Sequence, residues 1–130
     1  MKNTMSNNPA PGYAKKPDHS VIASAYGGCV IIRLGGQVIA DSQHALAVVE
    51  SGYGVAYYLP VGDVLMEAST LSNYSTYCPF KGHASYLSFN AGGTASANVA
   101  WRYETPYDEA LMLRGHISFY GKSVDSILIE

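Results

Sequence analysis

The chain has few charged residues and no marked excess of either sign. Only 14% of its 130 residues are charged, and eight Lys and Arg against ten Asp and Glu leave a formal net charge of −2. Nucleic acids and anionic lipids attract proteins through an excess of basic residues, so this balance argues against both as partners. Because 48% of the residues are hydrophobic, a folded globular domain is expected.

Long hydrophobic segments are also missing. No apolar run reaches the ~18 residues that a membrane span needs, and the N-terminal stretch MKNTMSNNPAPGY lacks the apolar core of a signal peptide. These two observations predict a cytoplasmic protein that does not contact a membrane. In that compartment the only two cysteines, Cys29 and Cys78, are expected to be reduced.

Recognisable motifs for metals and phosphates are absent from the sequence. A zinc site needs three or four organised ligands, whereas two cysteines and four histidines lie scattered along this chain. No Walker A loop is present, and no G-x-G-x-x-G segment follows a predicted strand. The sequence therefore predicts no metal site and leaves the cofactor unknown.

What the sequence does contain is typical of one mostly-β domain. Residues 1–18 are rich in Asn, Pro and Lys and predict a flexible N-terminal arm, while residues 19–130 form the domain. Tyr, β-branched residues and Gly dominate the domain and favour short antiparallel strands. The strands are predicted at residues 20–26, 29–34, 37–41, 45–50, 55–59, 84–89, 96–103, 116–120 and 124–129.

Glycine pairs and capping residues predict the connections between these strands. Hairpin turns are expected at residues 27–28, 35–36 and 90–93, where Gly-rich pairs separate predicted strands. Two short helices are expected. One covers residues 64–68 with Asp63 as its cap, and the other covers residues 106–113 with Thr105 as its cap.

Strand periodicity predicts an aromatic wall. Because side chains alternate along a strand, Val99, Trp101 and Tyr103 are expected on one face. The neighbouring strand adds either Tyr57 or Tyr58. Such rings fill a β core in one interpretation and line a ligand pocket in the other.

The segment TYCPFKG, residues 76–82, predicts a strand end, a tight turn and a new strand. Pro79 favours an extended Cys78, and Gly82 suits a turn position that needs a positive φ. Lys81 beside the thiol would favour the thiolate, which makes Cys78 a candidate nucleophile and Lys81 its catalytic partner. In the alternative interpretation Cys78 is an inert, buried thiol.

Glu50 is a carboxylate at the end of an otherwise apolar predicted strand. A half-buried carboxylate needs a partner of opposite charge. The sequence offers Lys81 or Arg102 for this role.

Together these motifs resemble the Domain of Unknown Function 427 family. The resemblance is carried by GQVIADS from Gly36, YYLP from Tyr57, TYCPFKG, AWRYETP from Ala100 and HISFY from His116, which span nearly the whole chain. It implies a small β-tent-like domain whose activity is not firmly established. The family's signature positions fall on Asp41, Ser42, Glu50, Tyr58, Pro60, Asp63, Thr76, Cys78, Pro79, Lys81, Gly82, Trp101, Tyr103 and Pro106.

Members of this family are sometimes filed under a nucleotidyltransferase-like label. Nucleotidyl transfer needs clustered carboxylates that hold Mg²⁺ and a cradle for phosphates. Asp41, Glu50 and Asp63 are dispersed in the sequence, and no cradle is visible. The sequence thus gives the label no physical support.

The leading hypothesis is a domain that binds an unidentified small molecule in a pocket beside the turn from Cys78 to Gly82. Two alternatives stay open. One is an enzyme, either cysteine-dependent or nucleotidyltransferase-like, and the other is an interaction protein whose sheet edges pair two copies in a homodimer. The residues predicted to line the pocket are Glu50, Tyr58, Thr76, Lys81, Trp101 and Tyr103.

Overall fold

The computed structural model describes residues 7–130, which form two antiparallel sheets. The larger sheet has seven strands in the order β1-β4-β5-β9-β8-β7-β6, and the smaller has three in the order β10-β2-β3. This arrangement confirms the predicted mostly-β class. The strands are β1 Val21–Ala25, β2 Val30–Leu34, β3 Gln37–Ser42, β4 Leu46–Glu50, β5 Gly54–Pro60, β6 Ser69–Cys78, β7 Gly82–Ala91, β8 Thr94–Arg102, β9 His116–Phe119 and β10 Ser126–Ile129.

The main core lies between the two sheets. Strand β2 buries every second residue toward the larger sheet, as expected for a strand with one covered face. A second cluster lies on the other face of the larger sheet, because Tyr58 and Leu59, which are neighbours in β5, belong to different clusters. That second face carries the candidate site.

The predicted hairpin at residues 27–28 is wrong. Strand β1 pairs with β4 and β2 pairs with β3 and β10, so residues 27–28 cross from one sheet to the other. A Cβ on Gly28 would lie 2.2 Å from the carbonyl oxygen of Glu130. The glycine is therefore required for a close backbone approach instead of a chain reversal.

The other two predicted hairpins are confirmed. Leu34 pairs with Gln37 across the turn at residues 35–36, and Ala91 pairs with Thr94 across the turn at residues 92–93. All four turn glycines have positive φ values, between 56° and 78°. Two central residues with positive φ match the twist of flanking strands, which explains why glycine pairs occur at both turns.

Only the end of strand β6, before the turn at Cys78, was predicted from the sequence. Its residues STLSNYSTYC are mostly polar and show no regular alternation of burial. It forms the edge of the larger sheet, where it pairs only with β7. An edge strand with two partly solvated faces lacks the alternating signal on which strand prediction depends.

The helical segments are shorter than predicted, and their predicted caps are wrong. Residues 64–68 form no helix of their own, since 3-10 turns cover Val61–Asp63 and Met66–Ala68. The second segment begins later, at Asp108–Leu113, and contains a kink. The Asp63 carboxylate accepts a hydrogen bond from the Ser42 hydroxyl at 2.7 Å instead of capping a helix, and Thr105 caps none.

Hydrogen bonds attach the described part of the N-terminal arm to the domain. The backbone nitrogen of Asn8 donates to Asp108, that of Ala10 to Glu109, and that of Gly12 to the Pro79 carbonyl oxygen. A 3-10 turn covers Pro11–Ala14. Residues 1–6 of the predicted arm lie outside the described residues, and the flexibility of the arm stays a prediction.

No helix in the described part of the chain combines the length and the apolar character that a membrane crossing requires. Both cysteines are free thiols. Cys29 lies just before β2, and its thiol is 3.5 Å from the Asp41 carboxylate.

Candidate functional site

The segment from Cys78 to Gly82 forms the predicted tight turn. Cys78 pairs with Gly82 at the ends of β6 and β7, and the Lys81 backbone nitrogen donates to the Cys78 carbonyl oxygen at 3.3 Å. Gly82 has a φ of 120°, a conformation that favours glycine. The turn therefore places the side chains of Cys78 and Lys81 at one end of the second face.

A buried cluster of charged groups surrounds the Glu50 carboxylate. Its Oε1 accepts a hydrogen bond from Lys81 Nζ at 2.5 Å, and its Oε2 lies 2.9 Å from His19 Nε2. Glu50 is 8% exposed, so its charge depends on these partners. The structure thus selects Lys81 from the two predicted partners, while Arg102 pairs with Glu104 at 2.9 Å.

His19 is a site residue that the sequence analysis missed. It lies in a segment without periodicity that was assigned to the boundary of the arm. Its ring stacks on Phe80 with a centroid distance of 3.7 Å. Because Phe80 is part of the TYCPFKG turn, the arm and the turn together position His19 beside Glu50. The only sequence signal is the dipeptide Asp-His after Pro17, and it does not predict a contact with Glu50.

Lys81 remains positively charged near neutral pH. Burial tends to lower its pKa, but the Tyr58 hydroxyl and the Glu50 carboxylate outweigh burial, and the net pKa is raised. The ammonium also lies 5.5 Å from the centre of the Tyr103 ring, within the range of a cation–π interaction.

The aromatic wall is built from Tyr58, Trp101, Tyr103 and Tyr120. The Trp101 indole nitrogen donates to the Tyr58 hydroxyl at 3.0 Å, and the Tyr120 ring centre lies 4.4 Å from that of Trp101. Tyr57 points away from this wall and packs on Tyr26 instead.

Val99 does not share the wall, contrary to the prediction. It is fully buried in the cluster between the sheets. Asn98, with a φ of 54°, interrupts β8 where the register with β7 shifts. This irregularity breaks the strict alternation on which the prediction depended.

Thr76 contributes indirectly through tyrosine hydroxyl groups. Its Oγ1 lies 3.1 Å from the Tyr86 hydroxyl, which in turn lies 3.2 Å from the Tyr120 hydroxyl. Thr76 is not among the residues that line the groove described below. Tyr86 and Tyr120 were missed by the sequence analysis, although Tyr86 shares a strand face with the buried Ala84 two residues before it.

An open groove of about 980 Å³ lies between the turn, the wall and the arm. Five of the six predicted lining residues meet there, and the predicted nucleophile lies beside them. The exposed Lys16 lies at the rim. The predicted residues that line the groove are Glu50, Tyr58, Cys78, Lys81, Trp101 and Tyr103.

Two tyrosine hydroxyl groups in the groove lack an acceptor among residues 7–130. Tyr103 takes part in no hydrogen bond there, and Tyr58 only accepts one from Trp101. Both side chains are nearly inaccessible, at 6% and 1% exposure. Burial raises the pKa of both hydroxyl groups, although Lys81 and the hydrogen bond from Trp101 partly oppose the rise at Tyr58. Both tyrosines therefore keep their protons at neutral pH and can donate them to a bound group.

Cys78 lines the groove as a half-buried thiol. Within the described residues no histidine or lysine nitrogen forms a hydrogen bond with its sulfur. Neither His44 nor His116 pairs with it, and the His116 ring lies 3.0 Å from the Arg114 carbonyl oxygen. Lys81 directs its ammonium to Glu50.

Apart from Pro79, the remaining signature positions lie outside the groove. Ser42 is buried, donates its hydroxyl hydrogen to Asp63, and accepts a hydrogen bond from the backbone of His44 at 3.1 Å. These contacts fix the turn after β3. Among residues 7–130, no group of three or more His, Cys, Asp or Glu is arranged to hold a metal ion.

The fold and the groove define a class of small, mostly-β domains with an aromatic cleft next to a buried ion pair. Residues 23–130 match the model of the family described as Domain of unknown function (DUF427), and the chain therefore belongs to that family. The match covers nearly the whole chain and confirms the resemblance found in its motifs. No curated protein matches this chain.

Proposed function

We propose that the domain binds a small molecule in the groove beside the Cys78–Gly82 turn. The observation that carries the proposal is the position of the Lys81–Glu50 ion pair, which lies next to aromatic rings at an open volume of about 980 Å³. Burying an ion pair costs desolvation energy that apolar packing would avoid. Ligand pockets, in contrast, commonly combine aromatic walls with a few polar groups.

The aromatic wall also supports ligand binding over simple core packing. Trp101 is only half-buried and lines the groove, so part of its indole surface is available to a ligand. It is also the only tryptophan of the chain. Its fluorescence therefore comes from a single position, which lines this groove and also a smaller cavity of about 250 Å³.

The proposal is tested by native mass spectrometry of the protein after incubation with cell extract. A retained small molecule is expected on the natural protein, and its loss is expected in the double variant Glu50→Gln/Lys81→Met, which removes both charges and keeps side-chain size. The matched control is Arg102→Met/Glu104→Gln, which removes the ion pair at Arg102 outside the groove. Absence of any retained molecule, together with unchanged Trp101 emission across a ligand panel, would argue against the function.

A cysteine-dependent enzyme is the first alternative. It predicts that Cys78 reacts with iodoacetamide at least about tenfold faster than a free thiol, because catalysis by cysteine needs an activated thiolate. Since Lys81 pairs with Glu50 and no base contacts the sulfur in residues 7–130, we expect no such activation. Slower labelling of Cys78 in Lys81→Met than in the natural protein would instead support the enzyme. Cys29 serves as the internal reference.

A homodimer is the second alternative. Strand β6 is a ten-residue edge strand without a charged residue or a proline. Natural edge strands usually carry such residues to prevent pairing. Sedimentation velocity over a wide concentration range distinguishes a dimer joined at β6 from a monomer.

A further inference from the structure

Three donor groups in the groove, on Tyr58, Tyr103 and Lys81, have hydrogens without an acceptor among residues 7–130. The hydroxyl hydrogens of Tyr58 and Tyr103 have no acceptor within residues 7–130, and Lys81 uses one of its three N–H groups on Glu50. A lysine ammonium can only donate. Glu50 is the nearby anion, and Lys81 and His19 already occupy its two oxygens.

Burial makes this imbalance costly. Tyr58 and Tyr103 are at least nine-tenths buried as whole residues. The Tyr103 hydroxyl oxygen still reaches the open groove, since it is not among the fully buried atoms that lack a partner, so the cost of burial falls mainly on Tyr58. A buried donor without an acceptor costs about 1–3 kcal/mol. A ligand that supplies acceptor oxygens at this position would remove that cost.

The local charge favours a single negative charge on the ligand. Lys81 is balanced by Glu50, and His19 and the rim residue Lys16 add basic character on the same side. No arginine lines the groove to form the two-pronged contact typical of phosphate sites. A monoanionic carboxylate therefore fits these groups better than a dianionic phosphate.

On the basis of the proposed function, we propose that the ligand is a small organic acid. Its carboxylate accepts hydrogen bonds from Tyr58, Tyr103 and Lys81, and its apolar part lies against Trp101 and Tyr120. The rings of the wall provide apolar surface beside the donors, which suits a body that is aromatic or aliphatic. No covalent step is involved.

The test is a titration of the full chain followed through Trp101 fluorescence, with calorimetry as a second readout. The probes are phenylacetate, 3-phenylpropionate and hexanoate, each compared with its neutral amide, and phenyl phosphate. We expect at least one carboxylate to bind about tenfold or more tightly than its amide, since charged hydrogen bonds are worth that much or more.

The variant Tyr103→Phe tests whether the Tyr103 hydroxyl donates a hydrogen bond to the ligand. This variant keeps the ring under Lys81 and removes only the hydroxyl, so the fold is retained. We expect it to weaken the carboxylate about tenfold and the amide by less, because a hydrogen bond to a neutral acceptor is weaker than one to a charged acceptor. Tyr26→Phe is the matched control, because Tyr26 packs on Tyr57 outside the groove, and it should leave both affinities unchanged.

Three results overturn the inference. If an amide binds as tightly as its carboxylate, the ligand does not need a negative charge. If phenyl phosphate binds at least about tenfold more tightly than every carboxylate, the ligand is a phosphate and not a carboxylate. In both cases a ligand still binds, so the proposed function stands. If no probe binds by either readout, the organic acid is excluded, and retained ligand in native mass spectrometry then decides separately whether the groove binds another molecule.

Discussion

Glu50 shows why a single residue controls this site. Its carboxylate is almost fully buried and holds two basic side chains from distant parts of the sequence, Lys81 and His19. Each partner satisfies one oxygen, so the cost of burial is offset only while both remain. Removing the carboxylate therefore leaves a buried ammonium without a counter-charge.

Glu50→Gln is expected to lower the free energy of unfolding by about 3–5 kcal/mol, because it breaks a buried pair and leaves Lys81 uncompensated. Urea unfolding measures the change. The double variant with Lys81→Met should recover part of the loss, since it removes the stranded charge. Equal stability of the single variant and the natural protein would contradict the role of the pair. Glu104→Gln, in a pair whose carboxylate is exposed, is the control and should cost under about 1 kcal/mol.

The buried tyrosines predict a loss of stability at alkaline pH. Burial raises the pKa of Tyr103 far above its ordinary value of 10.0, so the folded chain holds a proton that the unfolded chain has lost. The contribution of Tyr103 to the free energy of unfolding is fully present below about pH 10 and declines at higher pH by about 1.4 kcal/mol per pH unit. The raised pKa of Lys81 acts in the same direction.

Tyr103→Phe should therefore flatten the decline in unfolding free energy above about pH 10, since Phe has no proton to lose. Urea unfolding at a series of pH values gives the slope. Tyr26→Phe, outside the groove, should keep the natural slope. A slope for Tyr103→Phe equal to that of the natural protein would show that Tyr103 is not buried as described.

At the scale of elements, the sequence predicted strands well where a strand is covered on one face. β2 and β4 carry β-branched residues, and a turn that contains glycine follows each of them. Most of β6 was missed because an edge strand does not need alternation. The crossing at residues 27–28 was missed because β1 pairs with β4, which is distant in the sequence. Sequence pattern reports the faces of a strand and not its partner.

The residues of the candidate site were also predicted only in part. Turn chemistry identified the Cys78–Gly82 segment, and charge in an apolar context identified Glu50 and left Lys81 or Arg102 as its partner. His19 could not be found, because its position depends on the packing of the arm on Phe80 and the sequence near it has no periodicity. Tyr120 likewise enters the groove only because β9 lies between β5 and β8.

The arm is the element most sensitive to a small change. A Cβ on Gly12 would lie 2.6 Å from the Phe80 ring, the ring on which His19 stacks. Gly12→Ala is therefore expected to overpack this contact and lower the free energy of unfolding by about 1–3 kcal/mol. Faster proteolysis within residues 7–18 should accompany the loss.

The control for Gly12→Ala is Gly27→Ala, where the added methyl group would meet no atom within 4 Å. Denaturant unfolding of both variants gives the comparison. If both variants are equally stable, the arm does not pack on Phe80 as described.

At the scale of the whole molecule, the two glycine hairpins meet. A Cβ on Gly92 would lie 1.9 Å from the Gly35 carbonyl oxygen, whereas one on Gly93 would meet nothing within 4 Å. Both residues have a positive φ, 56° and 78°, so an alanine at either costs the same kind of backbone strain, about 1–2 kcal/mol. Only Gly92→Ala also forces the two sheets apart.

Thermal unfolding should thus show a larger loss for Gly92→Ala than for Gly93→Ala, by about 1–3 kcal/mol from the added clash. The shared φ strain cancels in this comparison. A difference near zero would mean that the two turns are not in contact.

The meeting of these hairpins constrains how the protein deforms. Where the two turns meet, backbone contacts backbone, and no flexible side chain is present to absorb a displacement. This contact therefore holds the two sheets in a fixed relative position. Gly35 belongs to the smaller sheet and Gly92 to the larger, and neither lines the groove. If the groove widens when a ligand binds, the movement is therefore expected in the arm and the Cys78–Gly82 turn, while the contact between the two glycine turns stays fixed.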